Sequence, residues 1–223
     1  MRLGFIFFCI CFLTGFKLPV GSFATTCTKP GLIALTFDDG VTFASNRISN
    51  ILKENDVTAT FFIIGETVTN PLHFSILKKR HDQDYILGNH TWSHLEVSKL
   101  SNAILLKEVL TTQNGLDATS SRSLPRYFRP PYGSISQKAY NTLTSLHYKI
   151  ILWNLDLKDW RRHRSKEKIW SVYLNAITKA NVTKDSFILL LHEKEKTADL
   201  LPSIIQHAKS KNFKFVSLDY CLK

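Results

Sequence analysis

The sequence has 223 residues, 44% of them hydrophobic, and a formal net charge of +11 at pH 7. This length and apolar content are typical of one folded domain with a buried core, and they exclude an intrinsically disordered chain. A positive surplus of this kind most often means a solvated basic surface, so no nucleic-acid partner is predicted.

The first 24 residues have the pattern of a secretory signal peptide. Arg2 precedes an apolar run, and small residues occupy the −3 and −1 positions of a cleavage site after Ala24. The alternative is a membrane anchor, but Lys17 interrupts the run short of the roughly 20 apolar residues that a bilayer span needs. We therefore predict a signal peptide over 1–24, a secreted domain over 25–223 that acts outside the cell or in a cell wall, and no membrane span after cleavage.

From residue 32 onward, short apolar runs alternate with longer segments of helical period, which is typical of repeated strand–helix units. The seven predicted strands cover 32–37, 59–64, 85–89, 127–129, 148–152, 187–191 and 214–217. The predicted helices cover 45–54, 101–116, 136–146, 166–180 and 197–210. Such units form a barrel or a doubly wound sheet, because each crossover helix must bury its apolar face against a sheet.

Distinctive polar residues follow five of the predicted strands. In chain order they are Asp38 and Asp39, His90 and His94, residues 129–133, residues 156–160, and His192. Singly, such segments are often turns, rigid proline loops or helix caps. The carboxyl ends of parallel strands share one face, where active sites are built, so we expect these segments to converge.

The two histidines of the second segment are candidate metal ligands. His90 and His94 stand four residues apart and reach one cation if the segment forms a helical turn. Zinc proteases carry a glutamate base after the first histidine, but Thr91 stands there in this chain, so the base must come from elsewhere. Of Asp38 and Asp39, one completes a two-histidine, one-carboxylate site and the other faces a water molecule.

Two further predictions concern covalent modification. Cys27 and Cys221 are the two cysteines of the predicted mature chain, and an even pair in an exported protein predicts one disulfide. Asn181 begins an Asn-Val-Thr sequence and is the predicted glycosylation site in a eukaryotic host. Asn89 begins a second such sequence, but we expect it at the metal site and therefore unavailable.

These segments together resemble the polysaccharide deacetylases of the NodB-homology type, carbohydrate esterase family 4. That family includes chitin deacetylases, peptidoglycan N-acetylglucosamine deacetylases and acetylxylan esterases. The resemblance covers residues 31–218, and its five motifs stand at 36–40, 90–94, 129–133, 156–160 and 190–192. It implies an α/β fold, a single-domain distorted (β/α)7 barrel similar to a TIM barrel, which agrees with the seven predicted strands.

The resemblance also implies the metal site and its base. Asp39, His90 and His94 would bind the metal, expected to be zinc, with cobalt or another divalent cation as the alternative. Asp38 would be the general base, and Arg129 would hold it in place.

The remaining implied roles concern the acid, the oxyanion and the acetyl group. His192 would be the general acid, oriented by Asp159. The backbone N–H of Tyr132 would stabilise the oxyanion, while Trp160 and Leu190 would line the pocket for the acetyl methyl.

The predicted activity is hydrolysis of N-acetyl groups on chitin or a related N-acetylglucosamine polymer by a secreted monomer. One alternative is a catalytically silent protein that keeps the fold for glycan or wall binding, and another is an esterase acting on acetylated xylan. The chain departs from many relatives at Val41, where they carry proline. A basic stretch at 161–164 either contacts an acidic wall polymer or is a solvated loop.

Overall fold

Residues 23–223, the part of the chain that the computed structural model describes, contain eight parallel strands and seven α-helices, which alternate except that β6 follows β5 directly. The strands are β1 (Leu32–Gly40), β2 (Thr60–Ile63), β3 (Ile86–Asn89), β4 (Tyr127–Phe128), β5 (Lys149–Ile150), β6 (Leu155–Asp156), β7 (Phe187–His192) and β8 (Lys214–Phe215). The helices are α1 (Ser45–Glu54), α2 (Pro71–Asp82), α3 (Asn102–Ala118), α4 (Gln137–Ser145), α5 (Lys166–Lys179), α6 (Glu195–Ser210) and α7 (Leu218–Cys221).

The strands form one curled sheet in the order β5-β4-β3-β2-β1-β7-β6. Strand β1 is central and pairs with β7 from Ile33 to Asp38 and with β2 from Thr36 to Gly40. Strand β8 pairs only with the beginning of β1. The predicted single-domain α/β fold with a barrel-like parallel sheet is confirmed, and its form is a curled half-barrel.

The structure adds elements that the sequence pattern does not predict. The eighth strand, β6, has only two residues, too few to show a periodic pattern. Helix α2 is also additional, and its buried residues include the polar Arg80 and His81 beside Leu77. Because two of its three buried positions are polar, this helix lacks the apolar stripe on which helix prediction depends.

The core lies between the sheet and its helices, and β1 shows why these residues form a central strand. Residues Leu32–Asp38 are all buried, as expected for a parallel strand covered on both faces. Gly88 in β3 serves close packing, because a Cβ atom there would lie 2.6 Å from the ring of Phe62. Helices α3, α4 and α5 each begin after a serine whose hydroxyl accepts a backbone N–H hydrogen bond of the first turn.

The two ends of the described chain are tied to the domain. Cys27 and Cys221 form the disulfide that the cysteine pair predicts. Phe23 packs against Tyr140, with 5.1 Å between the ring centroids, and the backbone N–H of Ala24 donates to the carbonyl of β5 residue 150. Residues 1–22 of the predicted signal peptide lie outside the described residues. Between residues 23 and 223, none of the helices has the length and apolar character needed to cross a bilayer.

Candidate metal centre and active site

The ends of adjacent strands bring the predicted site residues together. Asp38 lies near the end of β1, and its Cα partner across the ladder to β7 is His192. His90 follows β3 directly, and Arg129 follows the neighbouring strand β4. Because the strands are parallel, all four side chains lie at the same edge of the sheet.

Asp39, His90 and His94 form a three-residue cluster. Oδ1 of Asp39 lies 3.5 Å from Nε2 of His90 and 3.2 Å from Nε2 of His94. The three ligand atoms lie within 4.8 Å of one another, close enough to bind one ion. The outer nitrogen of His90, Nδ1, lies 2.7 Å from the carbonyl oxygen of Arg129 and must donate to it, which leaves the Nε2 lone pair facing the cluster.

The cluster fits a divalent cation. Oδ1 of Asp39 is buried between two imidazoles and has no hydrogen-bond partner among the described residues, an orphaned acceptor that a metal ion would satisfy. Burial raises the pKa of Asp39, but the imidazoles of His90 and His94 outweigh burial and hold that pKa well below its usual range. One carboxylate and two imidazoles are the donor set of zinc sites that keep a position open for water or substrate.

The two histidines meet without the predicted helical turn. Residues 90–94 form an irregular loop in which the His90 and His94 ring centroids are 5.0 Å apart. The carboxylate of Glu108 on α3 fixes this loop by accepting hydrogen bonds from the backbone N–H groups of Trp92 and Ser93, at 2.9 and 2.8 Å. The sequence gives no sign of Glu108, because a glutamate inside a helix is usually a surface residue.

Backbone conformation at the site is unusual. Five of the nine non-glycine residues with positive φ between residues 23 and 223 belong to the motif segments: Asp39, Thr91, His94, Tyr132 and Lys158. Each such conformation costs of order 1–3 kcal/mol and persists only where the surroundings enforce it. Backbone strain is therefore concentrated in the loops that carry the candidate ligands.

Asp38 is fixed on one side and open on the other. Its Oδ1 accepts a hydrogen bond of 2.7 Å from Arg129, while its Oδ2 lies 3.8 Å from Nε2 of His90, towards the metal cluster. Arg129 is fully buried, and its other donors reach the hydroxyl of Thr36 and the carbonyls of Ile151 and Leu152. This network allows Asp38 only one free oxygen.

His192 also lies beside the cluster. Its Nδ1 lies 2.7 Å from Oδ1 of the fully buried Asp159, and its Nε2 lies 3.9 Å from Oδ2 of Asp39. Oδ2 of Asp159 accepts hydrogen bonds from the backbone N–H of His192 and from the hydroxyl of Thr197. Burial lowers the pKa of His192, but the carboxylates of Asp159, Asp38 and Asp39, with Asp159 contributing most, together outweigh burial, so the pKa is raised.

The remaining predicted residues lie around this centre. Leu190 is buried on β7 two residues before His192 and therefore points to the same face of the sheet. Trp160 follows Asp159 and is 46% exposed at the rim. The hydroxyl of Tyr132 lies 3.2 Å from Nδ1 of His94, a contact that was not predicted for this residue.

The candidate modification sites lie elsewhere. Asn181 is exposed in the loop before β7, at the edge of the sheet opposite the metal cluster. Asn89 is fully buried, and its side-chain Nδ2 donates 2.8 Å to the carbonyl of Val109, so this amide is not accessible to a glycosyltransferase.

Sequence reasoning missed a buried ion pair beneath the site. Glu193, the residue after His192, receives two hydrogen bonds from Arg80 of α2, at 2.8 and 2.7 Å, and both side chains are buried. Gly40 is packed against this pair, because a Cβ atom there would lie 1.8 Å from Oε1 of Glu193. The ion pair thus fixes the turn after β7 against the end of β1.

The comparisons with known proteins agree with this geometry. Residues 25–151 match the sequence model of the family described as Polysaccharide deacetylase. The chain is 32% identical over 220 residues to a chitin deacetylase of Colletotrichum lindemuthianum. The matched region covers 92% of this chain and 85% of that protein. It is 31% identical over 196 residues to a peptidoglycan-N-acetylglucosamine deacetylase of Bacillus cereus, covering 83% of this chain and 66% of that protein.

The fold comparison gives the same result. The solved structure of the chitin deacetylase from Colletotrichum lindemuthianum matches with a TM-score of 0.82 at 29% identity, covering 92% of this chain and 93% of that one. Segments 156–160 and 190–192 lie beyond the residues matched by the family model, and the structure brings them to the same centre as the matched segments.

Proposed function

Since this chain belongs to the polysaccharide deacetylase family, we propose that it hydrolyses the N-acetyl groups of chitin, or of a closely related N-acetylglucosamine polymer, as a secreted zinc-dependent monomer. The observation that carries the proposal is that two further titratable groups lie against the Asp39–His90–His94 cluster: Asp38 is 3.8 Å from His90, and His192 is 3.9 Å from Asp39. The disulfide supports export, because such bonds persist in oxidising compartments.

The first half of the reaction assigned to these residues is attack on the acetyl carbonyl. A divalent ion, when bound, supplies Lewis acidity that makes a water molecule a nucleophile near neutral pH and polarises the carbonyl. Oδ2 of Asp38 accepts the proton that this water loses, since Arg129 occupies Oδ1. The backbone N–H of Tyr132 is assigned to the negative charge that develops on the former carbonyl oxygen.

The second half is cleavage of the carbon–nitrogen bond. His192 donates the proton from Nε2 to the sugar nitrogen, so that the amine leaves and acetate remains. Asp159 holds the imidazole ring of His192 through Nδ1. Burial lowers the pKa of His192, but Asp159 raises it and so favours the charged form. Trp160 and Leu190 surround the acetyl methyl, and each additional methylene would cost about 1–3 kcal/mol in such a pocket.

Acetate release tests the proposal against its alternatives. The secreted protein, loaded with zinc, is given fully acetylated chitin hexamer, peptidoglycan and acetylated xylan in parallel. More acetate from the chitin hexamer than from peptidoglycan or acetylated xylan supports the proposal. More acetate from acetylated xylan than from the other two would favour the esterase. Bound zinc without acetate from any of the three would favour a silent glycan-binding protein.

The matched control is Asp38→Asn, which keeps the shape of the side chain and lies outside the proposed ligand set. We expect kcat to fall by about 10²–10⁴-fold, the usual contribution of a general base, with zinc still bound. Activity equal to that of the wild type would refute the assigned base.

A further inference from the structure

The loop that follows β6 carries the unpaired arginines of the described chain. Five arginines between residues 23 and 223 lie within 4.0 Å of a carboxylate: Arg47, Arg80, Arg122, Arg126 and Arg129. The other three in that range, Arg161, Arg162 and Arg164, have no carboxylate partner, and neither does Lys158. We call residues 158–164 the cationic loop.

The group that holds the cationic loop in place does not neutralise the loop's charge. Nζ of Lys196, on α6, donates to the carbonyl of Arg161 at 2.7 Å and to the carbonyl of Arg164 at 3.3 Å. The cation that anchors the loop therefore adds to its positive charge. The loop's one carboxylate, Asp159, is fully buried against His192 and Thr197 and faces away from solvent.

The cationic loop lies at the mouth of the site. Asp159 contacts the candidate acid, and Trp160 is the next residue along the chain. The guanidinium of Arg161 lies 5.2 Å from the centre of the Trp160 ring. Arg161 and Arg162 are exposed, so a polymer whose reacting sugar sits against Trp160 extends beside positive charge.

The reaction makes a positive charge on its own product. Hydrolysis breaks the bond between the acetyl carbon and the sugar nitrogen, water supplies the oxygen and protons, acetate leaves, and the remaining amine takes up a proton at any pH below its own pKa. At such a pH each turnover converts a neutral sugar into a cationic one. We propose that the cationic loop makes the enzyme discriminate against polymer that already carries free amines near the reacting sugar. This inference rests on the proposed function.

This discrimination predicts a scattered pattern of deacetylation. The enzyme leaves a stretch once it has produced an ammonium group beside the cationic loop, and it prefers fully acetylated runs. Because the charges are exposed, salt screens the repulsion, over about 10 Å at 0.1 M and about 3 Å at 1 M ionic strength. We expect the loop to contribute about threefold to the preference in kcat/KM at 0.1 M, and more at lower salt.

The experiment compares two chitin hexamers, one fully acetylated and one with glucosamine at alternate positions, at a pH where the free amines are charged. The ratio of their kcat/KM values is measured for the wild type and for Arg161→Gln/Arg162→Gln. We expect the ratio to fall about threefold in the variant, with activity on the fully acetylated hexamer within about twofold of the wild type. Raising the salt should bring the wild-type ratio to that of the variant.

Two further variants separate the loop's charge from other effects. Arg162→Glu leaves the Arg161–Trp160 contact intact and should lower the ratio by a similar amount, because it changes the loop's charge by two units, as the double variant does. Lys211→Gln/Lys214→Gln removes two charges at the opposite edge of the sheet, near the start of β8, and should leave the ratio unchanged. A ratio that is the same in the wild type and both loop variants, or that is insensitive to salt, would overturn the inference. No acetate from the fully acetylated hexamer would contradict the proposed function and with it this inference.

Discussion

At the residue scale, His192 is under opposing influences that a single substitution separates. Burial lowers its pKa, and the neighbouring carboxylates, Asp159 above all, more than compensate. A general acid works only while it is protonated, so activity should be lost as pH rises through this raised pKa. In Asp159→Asn most of the compensation is removed and burial remains, so the alkaline limb of the kcat–pH profile should move to lower pH.

The profile is measured on the zinc-loaded wild type and variant over the same pH range, with zinc content determined at each pH. We expect a displacement of the alkaline limb together with a lower maximum, since Asn also removes the charge that orients the imidazole. An alkaline limb at the same pH in both proteins would show that His192 is not the titrating acid.

The residues around His192 show how far single residues can be predicted from sequence. Asp159 and His192 stand in recognisable motifs, and the structure places them in contact. Thr197 and Thr36 complete the networks of Asp159 and Arg129 but belong to no motif. A threonine hydroxyl becomes part of a site only through its tertiary neighbours, which a single sequence does not contain.

At the element scale, the Arg80–Glu193 pair links α2 to the turn between β7 and α6. Glu193→Gln keeps the size of the side chain but leaves the charge of buried Arg80 uncompensated. Removing one partner of a buried pair costs about 3–5 kcal/mol, so the free energy of unfolding should fall by that amount. Denaturant unfolding monitored by circular dichroism measures it.

Two control variants test whether the loss of stability comes from leaving a buried charge unpaired or simply from removing one carboxylate. Glu195→Gln removes a partner of the exposed pair with Arg47 and should cost much less than Glu193→Gln, because solvent screens exposed charges. Arg80→Met combined with Glu193→Gln removes the isolated charge and should recover part of the loss. Equal costs for Glu193→Gln and Glu195→Gln would contradict a structural role for the buried pair.

The same pair shows why some elements could not be predicted. Helices α1 and α3 bury apolar residues at helical spacing, such as Ile48 and Leu52 in α1 and Leu105 and Val109 in α3, and this periodicity predicts them. Helix α2 instead buries Arg80, whose partner Glu193 lies 113 residues away in sequence. Polar burial of this kind depends on a long-range contact, so local periodicity does not reveal it.

At the scale of the whole molecule, the disulfide joins the two ends of the described domain across 194 residues of sequence. Cross-linking so long a loop restricts the unfolded chain, and losing a native disulfide of a secreted domain typically costs 2–5 kcal/mol. We expect Cys27→Ser/Cys221→Ser to lower the free energy of unfolding by about that amount while kcat stays near the wild-type value, because the bond lies away from the metal cluster.

Thermal unfolding and acetate release at a temperature well below the transition measure the two effects on one preparation. Wild-type protein kept under reducing conditions should match the double variant. Unchanged stability in both would show that the bond does not stabilise the fold.

The most direct measurement of the central claim is metal content and acetate release on a single sample, before chelation, after it, and after zinc is restored. We expect one zinc ion per chain bound through Asp39, His90 and His94, near-complete loss of acetate release from chitin hexamer on chelation, and recovery with zinc. His94→Ala should show neither stoichiometric binding nor recovery. Undiminished acetate release from metal-free protein would contradict a metal-dependent reaction at this site.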